Sequence, residues 1–120
     1  MKNFFKFNAL LLIMIAGLSS CQKEKACNVE NPLTDLPWLK EIIREVENDS
    51  HAVLCNHVRI YQCAYSDGIG FMLNRECPDI PYSFLNCEGV ILCSGGGFTG
   101  EDNCAELKIK KPKLIYHHEP

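Results

Sequence analysis

The sequence is poor in the features that announce an enzyme. No G-x-S-x-G and no H-E-x-x-H occurs, which removes the nucleophile elbow and the zincin helix. No C-x₂-C or C-x₄-C pair is present, although structural zinc sites usually carry one, and no C-x-x-C redox motif appears. Charge of one sign is also scarce. With 12 basic and 15 acidic residues there is no basic stripe for nucleic acid. Long apolar runs are limited to one, Ala9 to Leu18, about half of the roughly 20 residues a spanning helix needs. There is a single tryptophan, Trp38, read as a packing anchor between helix and sheet. No internal repeat or low-complexity tract breaks the chain.

What is present begins with "MKNFFKFNALLLIMIAGLSSC". Basic Lys2 and Lys6, the apolar run, then small residues follow the order of a secretory signal. Leu18, two small residues and Cys21 resemble the lipobox of bacterial lipoproteins. The resemblance implies cleavage before Cys21 and acylation of that cysteine, and several acyl chains together give stable membrane anchoring. Losing Lys2 and Lys6 with residues 1–20 leaves 10 basic and 15 acidic residues, a net charge of −5 on 100 residues. That length is one domain.

Cysteine is unusually frequent, with eight in the chain. Cys21, Cys27, Cys55, Cys63, Cys77, Cys87, Cys93 and Cys104 lie in the exported part, where an oxidising compartment favours disulfides. With Cys21 acylated, seven remain, and one must be odd. Cys27 lies in "QKEKACNVEN", read as a polar tether over 21–31, and is the expected odd thiol. Three disulfides are expected among Cys55, Cys63, Cys77, Cys87, Cys93 and Cys104. The first choice is Cys93 with Cys104, closing a glycine loop. Cys55 with Cys77 is next, and Cys63 with Cys87 follows by elimination.

"PLTDLPWLKEIIREVENDS" predicts one amphipathic helix. Leu36, Leu39, Ile43 and Val46 recur at helical spacing, Ile42 widens the stripe, and charged residues fill the other face. Thr34 or Asp35 is expected to cap it. "HVRIYQCAYSDGIGFMLNREC" predicts a hairpin turning at Asp67-Gly68. That register sets Ala64 opposite Phe71 and Gln62 opposite Leu73, with Arg59, Tyr61, Cys63 and Tyr65 pointing away from the core. "YSFLNCEGVILC" predicts a second hairpin at Glu88-Gly89. One more short strand is expected around Leu107 to Ile109, limited by Pro112.

"GGGFTG" formally matches G-x-G-x-x-G after a strand. A dinucleotide site needs a helix from the last glycine and a βαβ unit of about 30 residues before an acidic ribose ligand, whereas 20 residues follow Gly100. Here Glu101 and Asp102 would face the phosphates, and the lysine of a P-loop is replaced by Glu101. Nucleotide binding is therefore not expected, nor any cofactor. The glycines instead allow a tight loop, Gly95, Gly96, Gly97, Phe98, Thr99 and Gly100, taken as the contact loop with Phe98 at its tip. Calcium through Asp102, Glu101 and carbonyls is a lesser reading, without EF-hand spacing. Of the histidines, His57 could serve a cysteine nucleophile, and His117-His118 reads as a solvated tail, with a metal role as the lesser reading.

Asn31, Pro32, Leu33, Leu36, Pro37, Trp38, Leu39, Tyr61, Gln62, Cys77, Cys93, Gly96, Gly97, Gly100 and Cys104 together resemble a family of small secreted lipoproteins of Bacteroidetes. The resemblance covers Asn31 to Cys104 and carries no activity. The family ends soon after the last cysteine, so "AELKIKKPKLIYHHEP" is an extension.

The expected organisation is a signal peptide over 1–20, a tether over 21–31, a disulfide-rich α+β domain over 32–112 and a polar tail over 113–120. The domain is expected to pack one N-terminal helix on four or five antiparallel strands. The expected function is a lipid-anchored, non-catalytic binding module of the cell envelope, on the outer membrane, holding a protein, peptide or glycan. The alternative is a small enzyme using a free thiol or a calcium site in the 95–103 loop.

Overall fold

A computed structural model of the chain describes residues 26–48, 57–77, 79–97 and 100–119. Five strands form one antiparallel sheet: β1 Val58–Tyr65, β2 Gly68–Arg75, β3 Tyr82–Leu85, β4 Ile91–Gly95 and β5 Lys110–His118. Their order is β4-β3-β2-β1-β5, so four strands meander across the sheet and the fifth returns beside the first.

The helical segment is two helices, α1 Pro32–Asp35 and α2 Pro37–Asn48. Pro37 is the cause of the break. A residue before proline is driven out of the helical region, and Leu36 is extended at φ −93°, ψ 109°. Pro37 then occupies the first position of α2, where its missing N–H costs nothing. The cap of α1 is Asn31, not Thr34 or Asp35. Its side chain accepts from Leu33 N at 3.1 Å, and Asp35 accepts in return from Asn31 N at 3.0 Å. In α2, Leu39 and Val46 are buried and Ile42 and Ile43 half-buried, while Lys40, Glu41, Arg44, Glu45 and Glu47 are exposed.

The first hairpin forms with its register displaced by two. Gln62 pairs with Phe71 and Ala64 with Ile69, because Ser66 and Asp67 make the turn and Gly68 already opens β2. A shift of two preserves which face each side chain takes. Val58, Ile60 and Phe71, each wholly buried, therefore still face the helices and pack with Leu36, Leu39 and Val46. Truncating Phe71 to alanine there would cost about 3–5 kcal/mol.

The opposite face was expected only to point away from the core. It carries a second core of Cys63, Phe84, Cys93 and Cys104, with Tyr61, Tyr65, Met72, Tyr82, Leu107 and Ile109 against it. Its cover is the chain running from β4 back to β5. A 3₁₀ turn at Ala105–Leu107 presses Leu107 onto this face, and Ser66 N donates to Leu107 O at 3.1 Å. Both faces of the central strands thus carry packed side chains, the second less completely, with Tyr61 and Met72 half-buried.

The expected polar tail over 113–120 is strand through His118. β5 tolerates Pro112 because it is an edge strand with a bulge there: Gln62 pairs with Lys113 but Ala64 with Lys110. Lys111, inside the bulge, takes φ 53°. Tyr116 Oη donates to Glu47 at 3.1 Å and ties β5 to α2. The expected tether over 21–31 is likewise part of the body from Ala26 onward, since Cys27 and Val29 pack against the helix-side core.

Candidate functional site

Cys93 and Cys104 are joined, with Cα atoms 5.2 Å apart, as expected for closure of the glycine loop. The other expected pairings are corrected in part. Cys87 bonds Cys27 across 60 residues, not Cys63. Among the described residues the free cysteine is Cys63, not Cys27, and it is buried. The reason is orientation: Cys63 points into the second core, whereas Cys87 sits in the β3–β4 turn on the helix side, where the 26–31 segment arrives. Cys77 is also disulfide-bonded. Cys21 and Cys55 lie outside the described residues, and so does the pairing proposed for Cys55.

Trp38 seats this staple. Its indole N–H donates to Cys87 O at 2.8 Å, and its ring meets Phe71 edge-on, centroids 5.8 Å apart. The β3–β4 turn is shaped by Asn86, whose side chain accepts from Glu88 N and Val90 N, both at 3.0 Å. Gly89, at φ +79°, lies so close to the indole that a Cβ would stand 2.7 Å from Trp38 Cγ. Trp38 is therefore a packing anchor.

On the other face the loop after β4 is held by side chains. Asp102 accepts from Tyr82 Oη at 2.7 Å and from Cys104 N at 2.8 Å. Asn103 accepts from Ser94 N at 2.9 Å. Gly95 is required by close approach: a Cβ would stand 2.6 Å from both the Asp102 carboxyl carbon and Tyr82 Oη. Gly96, Gly97 and Gly100 all take positive φ. Phe98 and Thr99, the expected tip of the contact loop, lie outside the described residues. Asp102 spends both oxygens inside the protein, which opposes the calcium reading of that side chain.

Between this loop, the 3₁₀ turn and the sheet runs a groove of about 640 Å³. Tyr61, Met72 and Asn74 form its floor, Tyr82 and Asp102 one end, and Lys108, Ile109 and Pro112 a wall. Sequence reasoning missed it, because its floor is the strand face expected to point away from the core. Alternation in β1 of aromatic Tyr61 and Tyr65 with Cys63 was the signal that this face is covered.

The electrostatics of the groove are those of a structural hydrogen bond. Burial and then the bond to Asp102 push the Tyr82 phenol up to about 12. The same bond, with that from Cys104 N, holds Asp102 below the usual carboxylate range. Both groups are displaced away from neutrality, whereas a general acid or base is most effective with its pKa near the working pH. Burial pushes the Cys63 thiol up as well, and a nucleophile needs the thiolate.

The fold and site define a small disulfide-stapled domain, an antiparallel sheet with helices on one face and a crossing loop on the other. The chain belongs to the family described as Domain of unknown function (DUF6970), whose model matches residues 46–118, more than half of the chain and all five strands. No curated protein and no solved structure matches it.

Proposed function

We propose that the chain is a lipid-anchored lipoprotein of the cell envelope whose domain is a non-catalytic binding module. The observation that carries the binding reading is the groove over Tyr61 and Met72. Its walls are fixed by the Cys93–Cys104 disulfide and the Tyr82–Asp102 hydrogen bond. A rigid site loses little entropy on binding. Met72, Ile109 and Pro112 offer apolar surface for the side chains of a peptide segment, with Asn74 and Lys108 at hand for its polar groups. A glycan needs less aliphatic surface and is the lesser reading.

The anchoring part rests on the lipobox-like "LSSC" and the preceding apolar run. Among the described residues no helix is long and apolar enough to cross a membrane. The resemblance to Bacteroidetes lipoproteins supports the outer membrane as the anchored surface. The thiol and calcium alternatives have less behind them, given a buried Cys63 and an Asp102 already doubly bonded.

Two experiments test the proposal. Metabolic labelling with a palmitate analogue should tag the wild type and not Cys21→Ala; equal labelling of both removes the anchor. Capture from envelope extract should recover a peptide or protein with the wild type and lose it with Ala105→Arg, which puts bulk into the groove from an exposed position. Equal recovery by both variants places binding elsewhere. Carbohydrate in place of protein would exchange the partner class.

A further inference from the structure

At the end of the sheet opposite the Ser66–Asp67 turn, β1 begins beside the end of β5. The register pairs Arg59 with His117 and Val58 with His118. Carried one residue outward, it sets His57 opposite Glu119. Side chains alternate across a strand, so His57, His117 and Glu119 share one face, while His118 goes with Val58 to the other. A donor atom from each of these three residues lies within 4.8 Å of the other two. His117 Nε2 and Glu119 Oε1 are 3.4 Å apart. Tetrahedral zinc with bonds of about 2.0–2.2 Å places neighbouring ligand atoms roughly 3.3–3.5 Å apart. One pair already spans that bite, and the third donor needs about an ångström of closure, within reach of side-chain rotation.

The chemistry of the set is selective. Two imidazoles and a carboxylate suit zinc, nickel and copper, whereas calcium and magnesium take oxygen ligands. The cation nearest in the register, Arg59, is ion-paired with Glu76, so its charge is balanced locally. The three residues come from 57 and from 117–119, and no short ligand motif joins them.

We propose that His57, His117 and Glu119 form a three-ligand site for a divalent transition metal of the zinc class. Its fourth corner is open to water or to a donor from a partner. The metal bridges the entry of β1 and the exit of β5, an edge strand whose one neighbour in the sheet is β1. It acts as a clasp on the C-terminal strand, and it is independent of the groove.

The test is competition for zinc between a chromogenic chelator and the full untagged chain, with disulfides intact and no reductant. One zinc per chain is expected. His57→Ala and His117→Ala should each weaken binding about tenfold or more, since losing even an outer-shell partner costs about 10–100-fold. Glu119→Gln, a shape-preserving change at an exposed position, should weaken it too. His118→Ala should bind as the wild type does, and calcium or magnesium should not compete. Histidine side-chain NMR guards against a misfolded variant: zinc should shift the His57 and His117 resonances of the wild type and spare His118. No stoichiometric binding by the wild type overturns the proposal. So does a loss in His118→Ala equal to that in His117→Ala, or competition by calcium.

Discussion

Removing the Cys27–Cys87 bond should cost more stability than removing Cys93–Cys104, although the latter closes the conspicuous glycine loop. The two bonds span 60 and 11 residues. Chain-entropy scaling assigns about 4.3 kcal/mol to the longer loop and about 2.8 kcal/mol to the shorter one at 25 °C. The difference of about 1.5 kcal/mol is roughly tenfold in the folding equilibrium. Against a net stability of about 5–15 kcal/mol for a small domain, loss of the longer link is a large fraction of the whole. The assay is urea unfolding of Cys27→Ser/Cys87→Ser and Cys93→Ser/Cys104→Ser, followed by fluorescence. Trp38 is the sole tryptophan and donates to Cys87 O, so emission reports at the staple itself. The denaturant dependence should steepen more in the first variant, because its unlinked denatured chain exposes more surface. A smaller loss from the Cys27–Cys87 pair than from Cys93–Cys104 would refute the argument.

Other outcomes follow from the same contacts. Gly89→Ala adds a Cβ 2.7 Å from Trp38 Cγ at φ +79°; with about 1–2 kcal/mol for the left-handed backbone alone, it should lower the thermal midpoint by roughly 8 °C or more, and an unchanged midpoint in calorimetry would disprove the close packing. Tyr82 and Tyr116 are both pushed up to about 12, by burial and by bonds to Asp102 and Glu47. The native state therefore holds these protons more tightly than the unfolded chain, so their stabilising contribution is complete below the usual phenol value of 10 and is lost as pH rises toward 12. Urea midpoints of Tyr82→Phe across that window should decline less steeply than those of the wild type. Cys63, buried with its thiol pushed up, should resist iodoacetamide in the native protein and react on unfolding; equal rates in the two states would contradict its burial.

Local signals in the chain determined what local interactions can encode. The 3.6-residue stripe from Leu36 to Val46 specified the helical segment, and alternation from Val58 to Leu73 specified the hairpin and the side chains that face α2. Ten residues between Cys93 and Cys104, rich in glycine, specified their bond. One helix was expected across Leu36, although the proline that follows it carried the signal of the break. Tertiary structure decided whatever depended on segments far apart. Whether Cys27 or Cys63 stays unpaired turns on which face of the sheet each meets, and Cys87 is 60 residues from its partner. Pro112 and four nearby lysines disfavour a strand locally, yet 110–118 pairs with β1, because the edge of a sheet spares Pro112 a ladder hydrogen bond and the bulge absorbs the rest. The second core, the groove above it and the meeting of His57 with His117 and Glu119 exist because β5 comes back beside β1. That return is a long-range pairing, stabilised by burial on two faces at once, and no window of neighbouring residues contains it.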